Sequence, residues 1–533
     1  MSKIAEYLNK HILGEVTADP TIRARYATDA SVLTYTPDII AYPRVTNDIR
    51  KVARFAWQLA MKGHAIPIIA RGSGSDKTGG AIGKGIIVAT QAHMDRIFEY
   101  DSKQKLVRLQ PGVTVGALQN ALGVHGTAIE KFAYEPSSAT VGGTLSRSRH
   151  TLQAVQRLEV VLSSGDAIQT HRLSKRELER KKKLDSFEGD IYRELDTILE
   201  QNKELIHEKL AFDGSLDHAG YASIAEVKTK EGFDLTPLFL GSQGTLGIIS
   251  EMIIKADYVN QTPAIIAAAF NKHVDAHDAI DAAEQLSPSG LEYIDGHYFD
   301  RAKQLGKEFN FYEEASKEGA VSAVVVASFN DFSERARAHK VKRLAKIFSE
   351  LGGVVDFAAD ETVSELHAVH SVTSYSMMHD TAGHATPPVM DGVFVPIDRF
   401  EDFTNAVREL ATSYHLELPI FGRPMEEIWY TRPELDLSET AGKQKMLRLM
   451  HEYRGIVLSH NGIFFGDAGE GRLKTFLADP DDTLADVYKA VKEIFDPHGI
   501  LNTGAKQQGN TQSLGKHLRP HYTPSRSGEL PQF

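Results

Sequence analysis

Residues 71–80 read RGSGSDKTGG and have the composition of a phosphate-binding loop. Glycine has no Cβ, so the backbone of such a loop can approach an anion closely and surround it with N–H groups. The serine hydroxyls are further donors, and the Arg71 guanidinium could make strong hydrogen bonds to phosphate oxygens. A glycine- and serine-rich surface turn without a ligand is the alternative interpretation of this segment.

This loop does not match the two most familiar phosphate motifs. A Walker loop needs the pattern GxxxxGK[ST], and a dinucleotide-binding turn needs GxGxxG at the start of a helix. Residues 71–80 lack the first pattern, and the third glycine of the second is absent. The apolar runs over 65–70 and 85–90, on either side of the loop, predict buried strands. We therefore expect a cradle between two strands.

Composition and charge limit the classes of protein to which the chain can belong. It has 533 residues, enough for two or three domains, and a net charge of −11, which argues against general nucleic-acid binding. Because it has no cysteine, it cannot form disulfides, thiolate-bound iron–sulfur clusters, cysteine zinc sites or a cysteinyl–flavin bond. No apolar leader or stretch of about eighteen apolar residues is present, so we expect a cytoplasmic protein without a transmembrane segment.

Two more glycine-rich segments follow, PSSATVGGT at 136–144 and LGSQGTLGIIS at 240–250. Three such loops are a much stronger signal for a bound diphosphate than one. The elements around them alternate, which predicts an α+β fold. Helices are expected over 47–56, capped by Thr46 or Asn47, and over 116–122, 191–210 and 334–350. Strands are expected over 105–109 and 321–327, and a strand closed by a turn over 158–166.

Five motifs together carry a resemblance to a known family. They are RGSGS, the PSSATVGG segment, LEVVLSSG at 158–165, GSQGTLGII, and FDPHGILNTG at 495–504. Over residues 20–506 the chain resembles the FAD-linked oxidoreductases of the vanillyl-alcohol oxidase/p-cresol methylhydroxylase (PCMH) type, most of all the glycolate oxidase and D-lactate dehydrogenase group.

The resemblance implies a fold of the α+β class, with a two-subdomain PCMH-type FAD-binding domain and an α+β cap domain. The expected parts are a helical lead-in at 1–35, the FAD-binding domain at 36–256 with an insert at 170–235, the cap at 257–465, a segment returning to the flavin at 466–506, and a mobile or surface-lying tail at 507–533.

The resemblance also implies the residues that contact FAD. We expect the bond to FAD to be non-covalent, because Ser75 stands where histidyl-flavin relatives often have a histidine. The expected contacts are Arg71, Gly72, Ser73, Gly74, Ser75, Pro136, Ser137, Ser138, Thr140, Gly142, Gly143, Thr144, Thr245, Gly247, Ile248 and Asn502.

The chain departs from the family where the resemblance implies catalysis. Relatives hold the substrate carboxylate with an arginine and a lysine, whose positions are taken here by His370 and Val389. Their metal-binding histidine motif is replaced by FGRPMEEIWY at 421–430, which has no histidine, and the histidine of their EHG motif by Ala468. We therefore expect no metal of the usual kind.

Several polar residues near these positions are candidates for a substrate pocket. Arg423 suits a two-point anion clamp, and Tyr430 or a histidine could take a proton. Each has a structural alternative: a single histidine is often structural, and Glu470 could simply pair with Arg472. The catalytic candidates are His370, Arg423, Tyr430, Asp467, Glu470 and Arg472, with His379, His384 and His460 as further pocket candidates.

The sequence thus predicts an FAD-dependent oxidoreductase that oxidises a CH–OH group of a small, polar and anionic substrate. The alternative is a non-catalytic FAD-binding or electron-transfer subunit of a larger complex. The electron acceptor is open, with a separate iron–sulfur or quinone-linked protein as one option. The basic segment 172–183 is either a solvated helix face or a docking site for an acidic acceptor or membrane surface.

Overall fold

A computed structural model shows two units, each compact by itself. The first unit comprises residues up to 257 together with 467–519, and the second comprises 258–466 with part of 520–526. The structure describes residues 2–130, 132, 137–210, 218–260, 262–358, 364–378, 385–479, 482–507, 509, 511–520 and 522. The predicted α+β class is confirmed, and no helix in these described ranges combines the length and apolar character needed to cross a membrane.

A four-stranded sheet in the first unit presents the first glycine-rich loop. Its strands lie in the order Glu15–Thr17, Ile39–Tyr42, Ile86–Ala89 and Ile68–Arg71, and the last three are mutually parallel. The strands Ile68–Arg71 and Ile86–Ala89 are apolar and largely buried, as expected for parallel strands covered on both faces. The loop at 72–80 leaves the carboxyl end of one and returns to the other, as predicted.

The second sheet of this unit is a five-stranded antiparallel sheet, which holds the other glycine-rich segments beside it. Its order is Ile97–Asp101, Leu106–Leu109, Ile248–Lys255, Val155–Val161 and Ala167–Thr170. Short strands are Thr127–Ala128, Lys228–Thr229 and Gly232–Phe233, and Asp257–Tyr258 lies where the units join in the sequence. Helices of the first unit are Ser2–Asn9, Pro20–Arg25, Thr46–Ala60, Val115–Gly123, Val141–Arg147, Lys175–Lys182, Phe187–Gln201, Lys203–Leu210, Thr236–Phe239, Ala485–Phe495 and Thr511–Gly515, with 3₁₀ turns Ala222–Glu226 and Thr475–Leu477.

Two local predictions in the first unit are wrong. Val45, in an extended conformation, is the N-cap of the helix Thr46–Ala60, whereas the Thr46 hydroxyl donates to Glu159. The single helix expected over 191–210 is instead two helices separated at Asn202, whose side-chain amide donates to the carbonyl of Ile198. Asparagine favours such a break because its side chain competes for backbone hydrogen bonds.

The second unit is built on a seven-stranded antiparallel sheet with helices packed against it. The predicted elements at 321–327 and 334–350 are confirmed as the strand Ala323–Phe329 and the helix Glu334–Glu350. The strand order is Val354–Ala358, Ala264–Phe270, Ala323–Phe329, Gly290–Asp295, Ile420–Arg423, Ile428–Thr431 and Val393–Phe394. The other helices are His273–Glu284, Gly296–Gln304, Asn310–Ser316, Ser364–Val369, Val372–Met378, Phe400–Tyr414 and Thr440–Ser459, with 3₁₀ turns Ile397–Arg399 and Pro424–Glu426.

Candidate active site

A cavity opens in the first unit where the three glycine-rich segments meet. We call it the unit 1 cavity. The segments come from distant parts of the chain, and their meeting here is what a shared diphosphate site requires. The wall includes residues 70–76 of the first segment, Thr140, Gly142, Gly143, Ser146 and Arg147 of the second, and Gln243 and Gly244 of the third.

Arg71 and the loop that follows it form a wall of this cavity whose donors suit an anion. Arg71 is buried; its Nη1 donates to the carbonyls of Tyr26 and Ala81 at 3.2 and 3.4 Å, while its buried Nη2 has no hydrogen-bond partner among the described residues. Burial lowers the pKa of Arg71. The backbone N–H groups of residues 72–75 likewise have no acceptor within the described part of the chain. Unpaired donors at a glycine-rich loop fit a diphosphate.

The first and second segments approach so closely that a side chain cannot fit between them. A Cβ added to Gly72 would lie 1.8 Å from Thr140 Oγ1, and one added to Gly142 would lie 2.5 Å from Pro111 Cβ. The N–H groups of Gly142 and Gly143 donate to Pro111 O and Thr140 Oγ1, so they are used inside the protein. These two glycines therefore contribute a smooth wall to the cavity, whereas the first segment contributes the open donors.

The other predicted FAD contacts have different surroundings. Pro136 lies outside the described residues, while Ser137 and Ser138 are exposed. Thr144 is buried, and its hydroxyl has no hydrogen-bond partner among the described residues. In the third segment, Thr245 donates to Ser242 O, Gly247 packs against Val160, and Ile248 begins a buried strand. The cavity wall there is formed by three residues that the sequence analysis did not single out, Gln243, Gly244 and Ile249.

Asn502 and Arg472 join the first and third glycine-rich segments by hydrogen bonds. The Asn502 amide donates to the carbonyls of Gly80 and Gln243 at 2.8 and 2.6 Å and accepts from Arg472 Nη2 at 2.8 Å. Arg472 also donates to the carbonyls of Gly79 and Thr503. Both side chains are buried, and their hydrogen bonds are made within the protein. This arrangement favours a positioning role for the two residues.

Two carboxylates brace the first loop. Asp76 accepts from the backbone of Thr78 and Gly80, and Asp29 accepts from the backbone and hydroxyl of Ser31. Asp29 is 1% exposed, and burial, reinforced by the charge of Asp76, raises the pKa of Asp29 to about 6. Because the protonated form is favoured in the folded state, the contribution of Asp29 to stability is present at low pH and is lost as the pH rises through about 6.

We therefore expect Asp29→Asn to be more favourable for stability at pH 7 than at pH 4. A shift of about two pKa units corresponds to about 3 kcal/mol, so the free energy of unfolding of the variant relative to wild type should rise by about that amount between these pH values. Urea denaturation at a series of pH values measures it, with exposed Asp19 replaced by asparagine as the control. An equal pH dependence in Asp29→Asn and wild type would contradict the expectation.

A cluster of charged residues adjoins the cavity in the first unit. Arg147, which lines the cavity, donates to Asp467 Oδ2 at 3.2 Å, and His150 Nε2 lies 3.4 Å from Asp467 Oδ1. The ring of His218 lies 5.3 Å from that of His150, and its Nε2 accepts from the Arg149 backbone at 2.9 Å. Of this cluster the sequence indicated Asp467 alone, because arginine and histidine at these positions match no motif.

Glu470 and Arg472 do not pair with each other in the structure, contrary to the alternative considered from the sequence. Glu470 accepts from the backbone N–H of Gly220 at 2.8 Å, and Arg472 donates to the loop carbonyls described above. Glu470 is buried like Arg472. The two side chains therefore tie different segments of the first unit to the 467–472 stretch.

The second unit has a separate polar cluster at the end of two paired strands. Phe421 and Tyr430 are opposite each other in the register, and their rings stack with centroids 5.0 Å apart. Arg423 Nη1 donates to the Tyr430 hydroxyl at 2.8 Å, and Arg423 Nε lies 3.5 Å from Glu426 Oε2. The three polar side chains are largely buried, so a charged donor and a phenol lie side by side away from bulk water.

The remaining candidates of the second unit are separate from this cluster. His370 Nδ1 lies 2.7 Å from Glu292 Oε1. Burial lowers the pKa of His370, but the Glu292 carboxylate outweighs it, so the pKa is raised overall. His460 contacts the carbonyl of Ile456 at the end of its own helix. His379 and His384 lie outside the described residues, and among the residues that are described no group of three or more histidines and carboxylates could hold a metal ion.

Comparison with known families identifies the class of protein. Residues 37–171 match the family model of the FAD binding domain, and residues 260–505 match that of the FAD linked oxidases, C-terminal domain. The chain belongs to the FAD-linked oxidases that combine these two domains. The family and the FAD cofactor predicted from the motifs are thus confirmed.

Individual relatives are distant. The chain is 25% identical over 522 residues to D-2-hydroxyglutarate dehydrogenase of Pantoea ananatis, covering 92% of this chain and 50% of that protein. It is 23% identical to the glycolate oxidase subunit GlcD of Bacillus subtilis, covering 88% of each. The chain thus spans about half the length of the D-2-hydroxyglutarate dehydrogenases that it matches.

The solved structures show the same fold. The 4-ethylphenol oxidase from Gulosibacter chungangensis aligns with a TM-score of 0.67 and 13% identity, covering 95% of this chain and 97% of that one. At this identity the likeness concerns the fold alone, and it confirms the PCMH-type architecture expected from the sequence.

Proposed function

We propose that the chain is an FAD-dependent oxidoreductase that oxidises a CH–OH group of a small 2-hydroxy acid by hydride transfer to flavin N5. The observation that carries the proposal is the wall of the unit 1 cavity where Arg71 Nη2 and four backbone N–H groups have no acceptor among the described residues. In a chain that matches the FAD binding domain, the diphosphate of FAD is the anion that this wall suits best.

Bound FAD supplies a two-electron acceptor for the hydride of the substrate. The residues of this chain would hold the cofactor. Arg71 and the loop 72–75 would bind the diphosphate, and Gly72, Gly142 and Gly143 keep the wall free of side chains. We infer non-covalent binding, because Ser75 offers no histidine for attachment.

The proposed substrate class rests on the relatives and on Arg423. Relatives are named for D-2-hydroxyglutarate, glycolate and D-lactate, all of which are 2-hydroxy acids. A guanidinium binds a carboxylate with two parallel hydrogen bonds, and Arg423 is a largely buried one beside a phenol. We assign Arg423 to the substrate carboxylate, with Tyr430 fixing its orientation.

The first experiment is an anaerobic visible spectrum of the purified protein before and after adding D-lactate, glycolate, D-2-hydroxyglutarate, sugar acids and polyols. We expect a flavin spectrum that bleaches with at least one 2-hydroxy acid, and free FAD in the supernatant after acid precipitation. A flavin that no compound reduces contradicts the proposed activity. A protein that takes up no FAD contradicts the cofactor-binding site itself.

Replacing Arg423 by lysine should weaken substrate binding while leaving the FAD content unchanged. Lysine keeps the charge but loses the two-point geometry, so we expect KM to rise by roughly tenfold to a hundredfold, equivalent to ~1.4–3 kcal/mol. Steady-state kinetics with the acid found above measure it. Arg399→Lys, an exposed arginine of the same unit, is the control, and an unchanged KM in Arg423→Lys contradicts the assignment.

A non-catalytic FAD-binding subunit is the second candidate. The observation in its favour is that Val389 and Ala468 stand where the resemblance implies polar catalytic residues. The electron acceptor would then be a separate protein. The basic segment 172–183 is partly neutralised within the first unit, Lys181 by Glu188 and Lys182 by Asp196, which weakens the case for its docking an acidic acceptor. The cytoplasmic location remains a prediction.

A further inference from the structure

The geometry points to His150 as the group that takes the hydroxyl proton of the substrate, with Asp467 and Arg147 as the residues that position its imidazole beside the unit 1 cavity. This inference rests on the proposed oxidation of a CH–OH group and assigns the proton acceptor that the proposed function leaves open.

Such an acceptor is needed because a hydroxyl group cannot become a carbonyl without losing its proton. The alanine at 468 cannot accept a proton, although the resemblance implies a histidine there. A replacement must lie at the cavity, carry a nitrogen or oxygen with a free lone pair, and be held in a fixed orientation. A histidine oriented by a carboxylate has all three properties in many enzymes.

His150 has the contacts of an oriented base. Its Nε2 is buried and makes no hydrogen bond to the described residues, and the nearest carboxylate oxygen is Asp467 Oδ1 at 3.4 Å. Hydrogen bonds of a base are often long before the substrate binds. With Nε2–H directed at Asp467, the lone pair of Nδ1 is the acceptor, and Nδ1 has no hydrogen bond to any residue that the structure describes. The carboxylate would stabilise the imidazolium that forms.

Asp467 is in turn tied to the cavity wall. Arg147 Nη1 donates to Asp467 Oδ2 at 3.2 Å, and Arg147 lines the cavity. Both carboxylate oxygens of Asp467 therefore face a cationic or potentially cationic partner. This places the acid, the imidazole and the cavity in one continuous set of contacts within the first unit.

The other titratable groups around His150 are already engaged. His218 Nε2 accepts from the Arg149 backbone, and burial holds the pKa of His218 well below its ordinary value. Arg149 pairs with Glu226, and Lys506 donates to the carbonyl of His218. The charges of Arg149, Asp467 and Lys506 act on His218. His150 lies beside Asp467, and its Nδ1 keeps an available lone pair among the described residues.

The step balances with the oxidant already named. The O–H bond of the substrate breaks and its proton goes to His150 Nδ1. The C–H bond would break with both electrons remaining on hydrogen, and the hydride would pass to the two-electron acceptor that bound FAD supplies. The carbon–oxygen single bond becomes a carbonyl, so the substrate loses one proton and one hydride. The hydride carries both electrons of the oxidation, and the proton leaves His150 to solvent.

The test compares the anaerobic rate of flavin reduction in the wild-type holoprotein and His150→Gln, over pH 5–10, with the 2-hydroxy acid that reduces the wild type. We expect the variant to retain its FAD and to be reduced about 100-fold more slowly or worse, and to lose the rise in rate with pH that an imidazole base produces. The matched control is His93→Gln, because His93 also pairs with a carboxylate, Glu15, but on the surface of the same unit.

A second readout does not depend on turnover. The visible spectrum of the oxidised holoprotein is titrated with pH in the absence of substrate. We expect a pH-dependent change in the flavin band in wild type and His93→Gln, and its loss in His150→Gln, because a proton on His150 changes the charge beside Asp467 and, through it, beside the cavity-lining Arg147. If His150→Gln loses FAD, the variant Asp467→Asn is tested in its place. The rise in its rate of flavin reduction should move to lower pH, since the carboxylate no longer stabilises the imidazolium.

The outcomes separate the two hypotheses. A wild-type flavin that no 2-hydroxy acid reduces overturns the proposed function and, with it, this role of His150. A wild type that is reduced, together with a His150→Gln variant reduced within about threefold of its rate or titrating like wild type, overturns the role of His150 alone. An unmoved pH profile in Asp467→Asn overturns it as well.

Discussion

Gly72→Ala should yield protein with about a tenth or less of the FAD affinity of the wild type. The added methyl group would lie 1.8 Å from Thr140 Oγ1 and 2.9 Å from Thr140 Cβ, so the first and second segments must move apart. Inserting one methyl group into packed structure costs ~1–3 kcal/mol, and each ~1.4 kcal/mol changes affinity tenfold. Fluorescence titration of the apoprotein with FAD measures the change.

The control for this variant is Gly455→Ala. Gly455 lies in the helix Thr440–Ser459, and a Cβ added there would meet no described atom within 4 Å beyond its chain neighbours and the backbone of its own helix. It should bind FAD like wild type. A double variant, Gly72→Ala with Thr140→Gly, removes the clash and should regain part of the affinity, although it loses the Thr140 hydrogen bond to Gly143 N. Wild-type affinity in the Gly72→Ala single variant would show that the two segments do not need this approach to bind FAD.

Asn502→Leu should lower the free energy of unfolding by about 2–6 kcal/mol, because it leaves two buried carbonyls without their donor at about 1–3 kcal/mol each. The substitution removes two hydrogen bonds to the carbonyls of Gly80 and Gln243 and leaves Arg472 Nη2 without its acceptor on Asn502. Leucine is also disfavoured at the φ of +43° that Asn502 adopts. Urea denaturation measures the loss, and FAD affinity should fall with it because the first and third segments are no longer joined.

Asn461→Leu is the control that separates the cost of placing leucine at a positive φ from the cost of losing the buried hydrogen bonds. Asn461 has a φ of +58°, close to that of Asn502, but it is exposed. This control should show only the strain of a positive φ, about 1 kcal/mol. Equal losses in the two variants would mean that the buried hydrogen bonds of Asn502 contribute little, and that the loops are joined by other contacts.

The parts of the site that could be predicted are those with an unusual composition. Three glycine-rich segments stand out in any sequence, and a glycine-rich loop after a buried strand has few structural alternatives. Gln243 and Arg147 could not be found in this way, because a glutamine inside a glycine-rich segment or an arginine shortly after one gives no signal until the fold brings it to the cavity wall. His150 is a single histidine a short distance after the glycine pair at 142–143, and it matches no motif.

The ends of helices were harder to predict from the sequence than the helices themselves, for a similar reason. The helix Thr46–Ala60 follows from its apolar periodicity, but its N-terminus depends on Asp48, which turns inward to accept from the backbone of Leu13, Gly14 and Arg44. Those partners are distant in the sequence or outside the helix, so no local pattern indicates them. The polar cluster of Arg423 and Tyr430 depends in the same way on the register of two paired strands.

The hydrogen bonds of Asn502 to the first and third segments can form only late in translation. Gly80 and Asn502 are 422 residues apart, and residues 258–466, which form almost all of the second unit, are translated between them. At about 5–20 residues per second, this interval takes roughly 20–80 s. The second unit can fold during that time, whereas the glycine-rich segments lack the hydrogen bonds of Asn502 until the C-terminal segment emerges. Cofactor loading is therefore expected to be a late event in synthesis, and a nascent chain stalled before residue 467 should not retain FAD.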